Sequence, residues 1–209
     1  MKRLEWYFTS QGYQVINVTY RSRHCTMRQL SDVYLHQLLT RKILNQSARV
    51  HFVTHSMGGI ILRQYLSNHY LENLGRVIML APPNHGSEII DLLKSNPLTR
   101  SFLSLGGREL GTGINDVPQQ LGPVQFECGV IACDRSLNPF LSYFLPGPND
   151  GKVTVESAKI EGMRDFLLLH NTHTWLMWRK ATLQQTRHFL EKGYFNRNFS
   201  DTIEKNCGN

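Results

Sequence analysis

The chain has 209 residues, 41% of them hydrophobic and 19% charged, which suits one globular domain with a substantial core. No apolar run approaches the length of a membrane span, and the opening Met1-Lys2-Arg3-Leu4-Glu5-Trp6 lacks the apolar stretch of a signal peptide. The net charge of +7 comes from scattered lysines and arginines; Arg21, Arg23 and Arg28 form the nearest thing to a cluster, and no nucleic-acid-binding motif accompanies them.

Residues 2–10 are expected to form a helix, with Leu4, Tyr7 and Phe8 on one side and Gly12 as its stop. Gln14 to Tyr20 reads as a strand through Val15, Ile16 and Val18. Thr26 and Gln29 have the spacing of a capping box, opening a helix through Leu30, Val33, Tyr34 and Leu38. Val50 to Val53 is a short strand, and a helical pattern begins at Ile60. Arg76 to Leu80 is a buried strand ended by Pro82-Pro83. Glycines and prolines punctuate residues 86–123, which are expected to be irregular and to wrap the mouth of a site. Val124 to Ala132 and Asp165 to Leu169 are further strands, separated by a loop rich in Pro, Gly and Asn over 134–152. The last helix carries Leu176, Leu183 and Leu190, and the tail after Phe195 is polar. Apolar strands alternating with helices imply a mostly parallel sheet with helices on both faces. One domain over 1–195 and a tail over 196–209 follow. Cys25, Cys128, Cys133 and Cys207 match no metal or disulfide spacing, and Cys128 falls in an apolar strand. Reduced thiols suit a cytoplasmic protein.

The most informative stretch is Val53-Thr54-His55-Ser56-Met57-Gly58-Gly59. A serine between a strand and a helix has the context of a nucleophile elbow, the turn that lifts a hydroxyl clear of a sheet. It also puts Ser56 at a helix N-terminus, where the Met57 N–H could stabilise an oxyanion. Thr54 breaks the usual pattern, which has glycine two places before the serine. A nucleophilic serine needs a base, and the base needs an orienting carboxylate, in the chain order Ser, Asp or Glu, His. His170 and His173 both follow the last strand. His173 is favoured, because it lies in the loop while His170 directly continues the leucine run. Asp134 and Asp150 are the candidate acids: Asp134 closely follows the strand at 124–132, and Asp150 sits in Pro148-Asn149-Asp150-Gly151-Lys152-Val153, which is also a good turn sequence.

Together the Val-Thr-His-Ser-Met-Gly-Gly segment, Ala81-Pro82-Pro83-Asn84-His85-Gly86-Ser87-Glu88, Asn149-Asp150-Gly151-Lys152-Val153 and Thr172-His173-Thr174 resemble the bacterial lipase-like α/β-hydrolases, distantly similar to GPI inositol-deacylase and triacylglycerol-lipase families. The resemblance runs from about residue 4 to residue 192 and implies an α/β-hydrolase fold with Ser56, Asp150 and His173 as triad. His55, Asn84 and His85 are then candidates to line a substrate pocket. The family usually has a strand ending in His-Gly before its first helix, whose loop gives a second oxyanion donor. Here Met1 falls at that helix, so a truncated fold is expected, with the sheet either closed up or open between 14–20 and 50–54. The expected activity is hydrolysis of carboxylic esters, lipid or small-molecule, without metal or organic cofactor. An acyltransferase using the same triad, and a non-catalytic hydrolase-like protein, are the alternatives.

Overall fold

The protein is described by a computed structural model over residues 1–20, 22–42 and 48–198, so Arg21, Cys207 and the tail from 199 lie outside the described residues. In chain order α1 (Lys2–Ser10) comes first. A helical segment follows, π-helical over Gln29–Leu35 and continuing as α2 (His36–Lys42). Next come β1 (Val50–His55), α3 (Met57–Asn68), β2 (Leu74–Leu80) and α4 (Glu88–Ser95). Short helices α5 (Pro97–Arg100), α6 (Leu105–Arg108) and α7 (Val117–Gln120) lead to β3 (Cys128–Cys133). After α8 (Pro139–Tyr143) and α9 (Val155–Ala158), β4 (Asp165–Leu169) and α10 (Lys180–Lys192) complete the fold.

The four strands form one parallel sheet in the order β1-β2-β3-β4. Parallel neighbours need long crossovers, which the intervening helices provide. The central strands alternate between two cores because successive side chains point to opposite faces. Ile78, Leu80, Ile131 and Cys133 pack with Leu4 and Phe8 of α1 and with Leu183, Phe189 and Leu190 of α10. Val77, Met79, Val130 and Ala132 pack on the other face with Leu62 of α3. Helices therefore cover both faces, as the sequence pattern implied. Gly129 allows α10 to come close: a Cβ there would lie 2.6 Å from the Phe189 ring. Cys128 is fully buried, and burial pushes its thiol up to about 12.

The capping box is present. Gln29 N–H bonds the Thr26 hydroxyl oxygen at 3.2 Å, and the Thr26 N–H donates to Gln29 Oε1 at 3.0 Å.

Three expectations need correction. Residues 14–20 form no strand, and β1 is the sheet's edge among the described residues. Alternation predicts which face a side chain takes; only a partner backbone makes a strand, and none lies alongside. Val15 packs against the α1–α10 core, while Ile16 and Val18 are 37% and 41% exposed. Residues 86–123 are not irregular: they hold α4 to α7, short enough for the glycines and prolines between them to dominate the local pattern. The strand expected from Val124 begins at Cys128. Beyond Phe195, the chain is tied down as far as it is described. Asn196 N–H donates to Gln185 Oε1 at 2.9 Å, and Arg197 bonds the Phe166 carbonyl. No helix among the described residues is long and apolar enough to cross a membrane.

Candidate active site

β1 hands directly to α3 through Ser56, whose φ of 51° and ψ of −126° lie in a region that non-glycine residues rarely occupy. Holding a residue there costs on the order of 1–3 kcal/mol, so the surroundings must enforce it. They do so through the neighbouring strand: the Ser56 N–H donates to the Leu80 carbonyl at 2.8 Å. Ala81, the residue just past β2, is the other described non-glycine residue with positive φ, at 45°, and its N–H donates to the Ile131 carbonyl. Two strained residues thus lie side by side at the carboxyl ends of β1 and β2. Local sequence gave no signal for Ala81.

Thr54 is accommodated by the glycines that follow. A Cβ on Gly59 would lie 3.4 Å from Thr54 Oγ1 and 3.2 Å from the Pro82 side chain, so the bulk absent at Gly59 makes room for the threonine. The Ser56 hydroxyl makes no hydrogen bond among the described residues and does not cap its own helix. Met57, half-buried, opens α3 and packs with Met27, Ile60 and Ile61.

The two candidate histidines and the two candidate acids form two separate pairs. His173 Nδ1 lies 2.7 Å from Asp150 Oδ2, with the side chains 5% and 2% exposed. His170 Nδ1 lies 2.6 Å from Asp134 Oδ2, but that histidine side chain is 62% exposed. A carboxylate can only accept, so each Nδ1 carries the proton. In His173 this leaves Nε2 bare, and it has no hydrogen bond among the described residues.

Asp150 divides its carboxylate between two tasks. Oδ1 accepts the N–H groups of Lys152 and Val153 at 3.0 and 2.9 Å, which builds the tight turn that the sequence suggested. Oδ2 is left to His173. Asn149 braces the same turn: its Oδ1 accepts from the Ser142 hydroxyl and from Gly151 N–H. The Ser87 hydroxyl does not cap α4, the helix that follows it. Instead it donates to the Lys152 carbonyl at 2.6 Å, tying the Pro82–Glu88 loop to the acid turn.

The pocket candidates are placed differently from one another. Asn84 is fully buried and its side chain is engaged at both ends: Oδ1 accepts from Arg63 at 3.1 Å, and Nδ2 donates to the Ala158 carbonyl. His85 is exposed, with its main chain bonded to Ser157 and Gln119. His55 is half-buried, with its ring 4.9 Å from that of His173. Burial first, and the charge of His173 second, hold its pKa down to about 4.

A parallel sheet covered on both faces, with a strained serine at the end of β1 and a buried His–Asp pair in the connections that follow β3 and β4, is an α/β-hydrolase fold of the kind found in bacterial lipases and esterases. Phospholipase PlaB from Legionella pneumophila, solved in complex with thio-NAD, matches with a TM-score of 0.62 and 25% identity, over 75% of this chain and 40% of that one. The mature form of Bacillus licheniformis lipase BlEst2 matches with a TM-score of 0.65 and 19% identity, over 90% of this chain and 82% of that one. The metagenomic carboxyl esterase MGS0156 matches at 0.54 and 18% identity, over 76% of this chain and 54% of that one. The chain thus spans about 40% of the length of the phospholipase. No protein-family model and no curated protein matches it.

Proposed function

We propose that the protein is a serine hydrolase of carboxylic esters, with Ser56 as nucleophile, His173 as base and Asp150 as the carboxylate that orients the base. The observation that supports this reading is the buried His173–Asp150 pair, whose histidine ring lies 4.9 Å from that of His55, the residue before the strained Ser56. The Asp150 bond fixes the imidazole tautomer with Nε2 free to accept a proton. His173 Nε2 takes the Ser56 Oγ proton as Oγ attacks the ester carbonyl carbon. The Met57 N–H, at the start of α3, faces the developing oxyanion with the favourable end of the helix dipole behind it. Collapse of the tetrahedral intermediate breaks the ester C–O bond, and the imidazolium returns its proton to the departing alkoxide. Water, activated by the same histidine, then releases the acid from Ser56. The phospholipase, lipase and esterase activities named for the similar structures make esters, lipid esters among them, the substrate class to try first.

Labelling of the purified protein with a fluorophosphonate, followed by mapping of the modified residue, tests the assignment. Ser56 is the expected site, and Ser56→Ala is expected to abolish both labelling and hydrolysis of short acyl esters. A label elsewhere, or full hydrolysis by the folded Ser56→Ala protein, would overturn it.

A further inference from the structure

The loop that carries His173 is held at several points. Its Asn171 carbonyl accepts from Arg135 N–H at 3.0 Å, and its Thr172 carbonyl accepts from Leu176 N–H at 3.0 Å. Leu176 itself is fully buried in the core under the sheet. Asp150 holds the His173 ring. None of these contacts fixes the loop relative to Ser56. One further contact does: His55 Nε2 lies 3.0 Å from the His173 main-chain carbonyl oxygen. Among the described residues it is the only hydrogen bond that joins residues 50–57 to residues 170–178.

We infer that His55 is a positioning residue for the base: its Nε2–H, donated to the His173 carbonyl, sets the distance between the strand that ends in Ser56 and the loop that presents the imidazole. This rests on the roles proposed above for Ser56, His173 and Asp150. A carbonyl only accepts, so His55 carries its proton on Nε2. That nitrogen is therefore committed to the protein and not offered to a substrate. The tilted packing of the two rings, at 53°, adds a second constraint on the same histidine. A neutral His55 also suits its place, because the adjacent His173 becomes a cation in mid-reaction. Burial keeps His55 uncharged down to about pH 4.

The test compares variants that separate the donor from the ring. His55→Phe keeps an aromatic ring and removes the donor; His55→Gln removes the ring and keeps a donor of similar reach. A displacement of about 1 Å at a catalytic group can cost on the order of 10²-fold, so His55→Phe is expected to lower kcat by about 10- to 100-fold with KM nearly unchanged. His55→Gln is expected to recover most of that loss. On a His173→Ala background the His55→Phe change is expected to cost nothing more, because residues acting through one group are not additive. His55→Leu against His55→Gln repeats the comparison should the phenylalanine not fit. Unchanged kcat in the donor-less variants, a rise in KM alone, or a full additional loss on the His173→Ala background would each overturn the inference. Fluorophosphonate labelling distinguishes the two levels of failure. If Ser56 is not the labelled residue, the triad reading fails. If Ser56 and His173 are essential and His55→Phe is fully active, only the positioning role fails.

Discussion

Replacing Asp150 by asparagine is expected to remove most of the activity while leaving the turn intact. The reason lies in how the two carboxylate oxygens are used. Oδ1 accepts two backbone N–H groups, from Lys152 and Val153. In the variant only the amide oxygen can occupy that position, since an NH₂ group would face two donors. The amide nitrogen is thereby forced into the Oδ2 site, 2.7 Å from His173 Nδ1. Two donors would then meet, so the imidazole must move its proton to Nε2 or rotate away. Either way, under the proposed roles, the nitrogen that would serve Ser56 stops being a base. The corresponding change in the serine-protease template costs on the order of 10⁴-fold in kcat, equivalent to about 5.4 kcal/mol of transition-state stabilisation. The matched control is Asp134→Asn. Its histidine partner is 62% exposed, and pairs of that kind contribute at most about 1 kcal/mol, or roughly fivefold. Steady-state kcat on a chromogenic short-chain ester, with Tm recorded for each variant, gives the comparison. An Asp150→Asn protein within tenfold of wild type, or an Asp134→Asn protein showing the larger loss, would refute the reasoning.

Three further outcomes are expected. Arg63 is buried with no carboxylate partner among the described residues, its guanidinium bonded to the Asn84 main chain and side chain and to the Gly122 carbonyl, and burial holds its pKa down to about 10. Arg63→Met should therefore lower the urea-unfolding free energy by about 2–4 kcal/mol, since buried acceptors lose their donors; an unchanged midpoint would mean that Asn84 finds another partner. Gly129→Ala should cost about 1–3 kcal/mol through the clash with Phe189, and Phe189→Leu in the same protein should recover part of it; additive losses would contradict that origin. The folded-state pKa of His55 lies near 4, below its ordinary 6.5, so the unfolded chain binds more protons in that window. The stability this contributes is complete above about pH 6.5 and is lost as the pH falls toward 4. His51 shifts in the same direction, so the measure is the difference between wild type and His55→Gln, whose Tm should fall less steeply over that range.

Much of the sheet was legible because its central strands are continuous apolar runs. Val77 to Leu80 and Cys128 to Cys133 are buried on both faces, and only a covered parallel strand needs such a run. Residues 14–20 carry an equally good strand pattern, but whether a strand forms depends on a partner distant in sequence, which no local pattern encodes. Helices α5 to α7 have four residues each, too few to show a helical period. At the site, the sequence supplied a serine, two histidines and two aspartates, but not how they pair. Asp134 closely follows a strand, Asp150 sits in a good turn sequence, and His170 and His173 are three residues apart. Chain order allowed either aspartate, and only the resemblance favoured Asp150; in the structure, burial separates the pairs. His55 was legible as a residue near the site, yet its bond to a carbonyl 118 positions away was not.

The candidate site's components come from four segments, one after each strand of the sheet, and what joins them is largely main chain. Asp150 is held by two backbone N–H groups, Ser56 by the Leu80 carbonyl, the Pro82–Glu88 loop by the Lys152 carbonyl and the His173 loop by Arg135 N–H and His55. Bonds to main-chain atoms do not depend on which side chain the partner residue carries. The exposed side chains of Lys152 and Arg135 can therefore vary with little effect on the geometry, whereas Ser87, Asp150 and His55 cannot, because each supplies a side-chain group to a backbone partner. Sensitivity to substitution around this site should follow that asymmetry: a donor or acceptor that reaches another segment's backbone is constrained, and an exposed residue that contributes only its own backbone is free, whereas Leu80 stays constrained by its burial in the core.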